Sequence, residues 1–139
     1  MGNNGDRGPV VEMGSETAFG PDSISCCMIA RDEASRIRQA ITSVKPLADE
    51  VIVVDTGSID GTPERAGKAG ARVFSRRWNG DFSEARNYSI SRARGEWILV
   101  LDADEVLDAR FHSRIRELVS GGRAGAYIFE QRTWTAERE

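Results

Sequence analysis

Two unbroken apolar runs, each stopping at an acid, constrain this chain more than any other feature. One reads Ser-Ile-Ser-Cys-Cys-Met-Ile-Ala over 23–30 and leads into Asp32 and Glu33; the other reads Glu-Val-Ile-Val-Val-Asp over 50–55. Without polar alternation, such runs belong to strands covered on both faces. Strands of that kind sit inside parallel sheets, where helical crossovers cover both sides. The intervening segment agrees. From Asp32 to Val44, residues Ile37, Ala40, Ile41 and Val44 recur at helical spacing, Arg36, Arg38 and Gln39 turn outward, and Pro46 ends the helix.

The cycle then repeats. After the turn Thr56-Gly57-Ser58-Ile59-Asp60-Gly61, Thr62 and Pro63 supply an N-cap and first helical residue for a short helix to Gly70. Ala71 to Ser75 reads as a third strand. Asp81 with Glu84 has the form of a capping box opening a helix from about Phe82 to Ala93. Trp97 to Leu101 reads as a fourth, buried strand, and a helix from about Ala109 to Val119 follows. Ala126 to Gln131 reads as a last strand. Strands alternating with helices in this way predict an α/β domain with a mostly parallel sheet and right-handed crossovers. Residues 1–22, rich in Gly, Asn, Asp and Ser, read as a flexible extension, leaving 23–139 as the domain.

Composition removes several function classes. The formal net charge of -3, with arginines scattered among acids, offers no basic stripe for nucleic acid. No apolar run approaches the roughly 20 residues of a membrane span, and no leader-like apolar segment opens the chain. These features predict a cytoplasmic protein, with peripheral contact at the inner face of the membrane as the alternative. The two cysteines, Cys26 and Cys27, are adjacent in a strand and should face opposite ways as small buried hydrophobes. The single histidine, His112, reads as a solvated surface residue. Trp78, Trp97 and Trp134 read as packing residues, Trp97 in a buried strand.

The acids carry the chemistry. Three of the four parallel strands run into carboxylates: Asp32 with Glu33, Asp55, and Asp102 with Asp104. In a parallel α/β sheet the carboxyl ends of the strands share one rim, and ligands bind there at the topological switch point. Acids gathered at that rim repel one another unless a hard cation such as Mg²⁺ or Mn²⁺ joins them. The chain has neither a G-x-G-x-x-G after its first strand nor a G-x-x-x-x-G-K-[ST]. A diphosphate bound here would therefore take its counter-charge from a carboxylate-held metal rather than from a glycine cradle.

Four motifs in order resemble the family 2 inverting glycosyltransferases of the GT-A fold. They are Ile24 to Glu33, the turn from Val54 to Thr62, Ala85-Arg86-Asn87, and Gly95 to Glu105, the last containing a D-x-D triplet. Asp55-Thr56-Gly57-Ser58 and the run from Asp81 to Asn87 look most like the bacterial branch related to lipopolysaccharide-core glycosyltransferases. The resemblance covers 23 to about 131 and implies a GT-A sheet truncated before the acceptor-binding half. It implies that Asp104 ligates a divalent metal bridging the diphosphate of a nucleotide sugar, and that Asp102 contacts the ribose, or the metal through water. Asp55, Ser58 and Asp60, with the loop containing Ala30, Asp32 and Glu33, would hold the nucleoside. Arg86 would approach the diphosphate or sugar, and Asn87 would support that loop. Many relatives carry an acid where Thr56 stands.

Structural readings compete with these roles. Asp55 and Asp60 are natural turn residues, and Arg86 could pair with Glu84 or Asp81. The implied activity is sugar transfer to an acceptor hydroxyl, on a saccharide or lipid-linked acceptor of the cell envelope. Its alternative is a truncated, non-catalytic remnant that binds nucleotide sugar and metal. The family's catalytic base lies in a later segment, and neither Glu105 nor Glu130 matches it, so no base is assigned. A sheet cut short at that point would leave apolar surface uncovered and favour self-association. An aspartyl phosphotransfer domain fits poorly, because the D-x-D follows the fourth strand and both lysines, Lys45 and Lys68, precede it.

Overall fold

The computed structural model describes residues 19–122, 125–129 and 132. Its strands are β1 (Ile24–Ala30), β2 (Glu50–Asp55), β3 (Arg72–Ser75) and β4 (Trp97–Val100). Its helices are α1 (Ile37–Val44), α2 (Thr62–Lys68), α3 (Phe82–Ser91) and α4 (His112–Gly121), with a 3₁₀ turn, Ala109–Phe111, leading into α4. All pairings among the described strands are parallel, and the order across the sheet is β3-β2-β1-β4. The chain therefore builds outward from β1 to β3, then returns to place β4 on the other side of β1. That reversal makes the gap between β1 and β4 the switch point.

The two apolar runs become the central strands, as their lack of alternation requires. Every residue of β2 is buried, and all of β1 except Ile29. Successive residues face opposite ways, so the adjacent cysteines serve two cores. Cys26, Met28 and Ala30 pack with Val51 and Val53 against Ile37, Ala40, Ile41 and Val44 of α1 and Ala66 of α2. Ile24 joins Leu47 with Ile115 and Val119 of α4 on the same face. On the opposite face Cys27, Ile52 and Val54 meet Ala93 just after α3, with Phe74 and Tyr88 alongside.

Several local expectations change. Helix α1 begins at Ile37 rather than near Asp32, because Asp32 holds φ at 53° and the following residues form a turn. Helix α2 starts at Thr62 itself, and Asp60 is the residue whose side chain accepts the Thr62 N–H. Only half of the expected capping box forms: Asp81 accepts from Ser83 N, while Glu84 turns to Arg76. Strand β4 is partly exposed rather than buried, since among the described residues it is an edge strand flanked by β1 alone; Val100 is 47% exposed. Trp97 is accordingly half-buried and stacks on Tyr127 at 5.8 Å. His112 is half-buried, its Nε2 2.8 Å from the Ser43 carbonyl. The expected last strand is not a strand over 126–129, where Tyr127 instead donates its hydroxyl hydrogen to the Leu118 carbonyl. Residues 130–131 and Trp134 lie outside the described residues, as does the expected extension up to residue 18. Asp22 is described, and its N–H donates to Glu96.

Candidate active site at the carboxyl rim

Parallel pairing brings the strand ends together. Ala30 is in register with Asp55, and Cys27 with Val100, so Asp102 emerges two residues past β4 beside the loop that follows β1. A cavity of about 370 Å³ opens at this switch point. Its β1 side is Ile29, Arg31 and Glu33, its β4 side is Asp102, Ala103 and Asp104, and Thr56 contributes from the end of β2. Trp78, Phe82 and Arg86 line it from the β3–α3 connection and from α3 itself.

The predicted site residues fall into two groups. Asp102, Asp104, Glu33 and Arg86 line the cavity. Asp32, Asp55, Ser58 and Asp60 form a hydrogen-bonded clasp between the loops after β1 and β2. Asp32 N–H donates to Ser58 Oγ at 2.9 Å, and Asp32 Oδ1 accepts from Ile59 N at 2.8 Å. Glu33 N–H donates to Thr62 Oγ1 and Ala34 N–H to Asp60 Oδ2. Asp55 is 5% exposed and its carboxylate accepts the N–H groups of Gly57 and Ser58 and the Ser58 hydroxyl. Asp60 is held below the usual carboxylate pKa, first by the Thr62 hydroxyl and further by the Thr62 and Ala34 N–H groups. Ala30, buried at the end of β1, accepts the Thr56 N–H on its carbonyl. The clasp thus uses up acceptor oxygens that a ligand would otherwise meet, and it fixes the cavity wall.

The cavity carboxylates are differently placed. Asp102 and Asp104 have side chains 59% and 47% exposed. Their arginine partners are distant: Arg86 Nη2 lies 3.6 Å from Asp102 and Arg36 Nη1 3.8 Å from Asp104. Exposed pairs of that length contribute little, so both acids can exchange them for a cation. Arg86 takes neither partner its sequence neighbourhood suggests, since Glu84 is bound to Arg76. Its Nη1 is buried without a hydrogen-bond partner among the described residues. A buried, unsatisfied guanidinium donor favours an anion such as phosphate. Asn87 is exposed on α3.

The donor set can be tested against a divalent ion. Among the described residues no group of three or more His, Cys, Asp or Glu side chains forms a ready metal cage. Mg²⁺ needs none, because it is commonly held by one or two carboxylates together with substrate phosphates and water. Two exposed hard-oxygen donors, Asp102 and Asp104, with Arg86 across from them, fit that mode. Trp78 and Phe82 were missed as cavity residues; their signal, two aromatics four apart flanking a Gly-Asp turn, was legible only as packing.

Fold and rim together define a parallel α/β domain with acids and an arginine at its switch point. Residues 25–137 match the model of glycosyl transferase family 2, and the chain belongs to that family. It is 47% identical over 104 residues to a TPR repeat-containing protein of Synechococcus elongatus, covering 75% of this chain and 26% of that protein. It is 36% identical over 110 residues to an uncharacterized glycosyltransferase of Rickettsia felis, covering 79% of this chain and 38% of the relative. Among solved structures, glucosyl-3-phosphoglycerate synthase of Mycobacterium tuberculosis in complex with Mn²⁺, uridine diphosphate and glucosyl-3-phosphoglycerate superposes with a TM-score of 0.61 at 28% identity. That alignment covers 81% of this chain and 44% of the synthase. The chain thus spans less than half the length of each of these proteins. Among the described residues no helix is long and apolar enough to cross a membrane.

Proposed function

We propose that this domain binds the nucleotide-diphosphate end of a sugar donor and serves transfer of the sugar to an acceptor hydroxyl. The observation that carries the reading is the pairing of two exposed carboxylates with a buried, unpartnered guanidinium nitrogen in one switch-point cavity. Asp104 and Asp102 would hold Mg²⁺ or Mn²⁺ against the diphosphate. That ion would supply Lewis-acid stabilisation of the departing diphosphate. Arg86 would donate to a phosphate oxygen, and Glu33 would face the ligand from the β1 side. The clasp of Asp32, Asp55, Ser58 and Asp60 would shape the nucleoside end of the cavity, with Ala30 fixing the strand end beneath it. Family membership supports this reading, as does the description of the mycobacterial synthase with Mn²⁺ and uridine diphosphate.

The resemblance of Asp55-Thr56-Gly57-Ser58 and of Asp81 to Asn87 supports a saccharide or lipid-linked acceptor of the cell envelope, met in the cytoplasm or at the inner face of the membrane. Two carboxylates and an arginine in one cavity would also serve a second reading, donor and metal binding without transfer. One assay separates the two. A panel of nucleotide sugars is incubated with Mn²⁺ and the chain, and release of the nucleoside diphosphate is followed with and without a saccharide acceptor. Acceptor-dependent release that EDTA abolishes supports transfer. Metal-dependent binding without release supports the second reading, and neither binding nor release contradicts both.

A further inference from the structure

The cavity has an aromatic wall that its acids do not explain. Trp78 and Phe82 meet edge-to-face, with ring centroids 4.8 Å apart and planes at 73°. Both line the cavity, and Phe82 remains 68% exposed at the first position of α3. A half-buried Trp78 against an exposed Phe82, beside a charged rim, leaves aromatic surface that a flat ligand can cover.

The sheet order tells which part of a donor would reach it. Along the rim the sequence of strand ends is β3, β2, β1, β4. Trp78 stands three residues past β3, and Asp102 and Asp104 lie past β4 at the opposite end of that row. Phe82 and Arg86 are four apart on α3 and so share a helix face, which places the arginine between the aromatic pair and the acids. A nucleoside diphosphate with its phosphates at Asp104 and Arg86 therefore extends one end over β1 and β2 toward Trp78. The other end leaves past β4, the edge of the described sheet. The sugar must stay open to an acceptor, so it takes the end past β4, and the nucleobase lies toward the aromatic end.

We infer that Trp78, braced by Phe82, is the stacking wall for the nucleobase of the bound nucleoside diphosphate. The inference rests on the donor-site reading above. Stacking on an aromatic side chain tolerates any base, so the wall contributes affinity while other groups choose among bases.

The test uses the full chain as wild type, Trp78→Ala and Trp78→Phe, each checked for an unchanged thermal melt. Each is titrated calorimetrically with UDP, GDP, ADP and CDP in Mn²⁺, and with inorganic pyrophosphate in Mn²⁺. The expected result is a loss of roughly tenfold or more in nucleoside diphosphate affinity for Trp78→Ala, near wild-type affinity for Trp78→Phe, and unchanged pyrophosphate binding. Unchanged nucleoside diphosphate affinity in Trp78→Ala overturns the inference. So does an equal loss for pyrophosphate, which would make Trp78 a support of the loop. Equal wild-type affinity for pyrophosphate and every nucleoside diphosphate removes the wall but leaves the metal site standing. Failure of the wild type to bind either ligand removes the donor site itself, and the wall with it.

Discussion

Among the described residues Arg86 holds one guanidinium nitrogen buried without a hydrogen-bond partner, while the other lies 3.6 Å from Asp102, and in the proposed donor site it would meet a phosphate oxygen. There the planar fork would matter beyond the charge, because arginine presents two parallel donors in a fixed plane while lysine acts as a point charge. Arg86→Lys is expected to weaken Mn²⁺-dependent nucleoside diphosphate binding about tenfold, and Arg86→Ala more, with little change in the melt; calorimetry beside a thermal scan checks it. At this scale the sequence was partly legible. The position of Arg86 on a helix could be read, but its partner could not, because Glu84 is taken by Arg76 from the preceding connection. Asp55 and Asp60 were legible as acids at a turn. That their oxygens would be committed to Gly57, Ser58 and Thr62 depends on backbone geometry that no motif displays. The cysteines were legible throughout. Burial pushes the Cys27 thiol up to about 11, and raises that of Cys26 as well, so neither behaves as a nucleophile.

Elements were the easiest level to read where a segment supplies its own evidence. The apolar runs of β1 and β2 and the helical spacing of α1 are properties of contiguous residues, and the structure reproduces them. Features that depend on neighbours were not legible. The partial exposure of β4 follows from its place at the edge of the described sheet, and over 126–129, where no strand forms, Tyr127 bonds the Leu118 carbonyl and stacks on Trp97. The entry into β4 shows how tightly one element constrains another. Gly95 passes so close to β1 that an added Cβ would lie 2.6 Å from Ser25 Oγ, 2.7 Å from Ser25 N and 3.0 Å from Ile24 C. Two of those atoms are backbone and cannot swing aside. Gly95→Ala is therefore expected to destabilise the domain by about 2 kcal/mol or more, read as an earlier urea midpoint. A midpoint equal to wild type would show that β1 and β4 can part at no cost.

The molecule as a whole is tied together at the end of the sheet opposite the cavity. Glu50, 8% exposed, accepts from the Ser25 hydroxyl, the Arg94 N–H and the side chains of Arg72 and Arg94, so it joins β1, β2, β3 and the approach to β4. Burial pushes its carboxyl pKa up, but the bonds from Arg94, Ser25 and Arg72 outweigh that and leave it below 4.5. A carboxyl lowered in the folded state is protonated first in the unfolded chain. Its stabilisation is complete above the ordinary value and is lost as pH falls below about 4.5 toward the folded value. The melting temperature should fall across that acid window. Glu50→Gln should flatten that step and lower neutral-pH stability by about 1–3 kcal/mol, since its arginine partners are partly exposed. A wild type whose acid limb matches that of Glu50→Gln would contradict this account.

In the proposed donor site, the rim past β4 would bind a nucleoside diphosphate through a metal held by Asp104 with Asp102. The most direct measurement is calorimetric titration of wild type and Asp104→Ala with a nucleoside diphosphate panel, with Mn²⁺ and with EDTA. Wild type is expected to bind only with Mn²⁺, and Asp104→Ala to lose about tenfold or more in affinity, about what removing one metal ligand or its supporting group costs. Equal affinity in both proteins, with and without the metal, would contradict it.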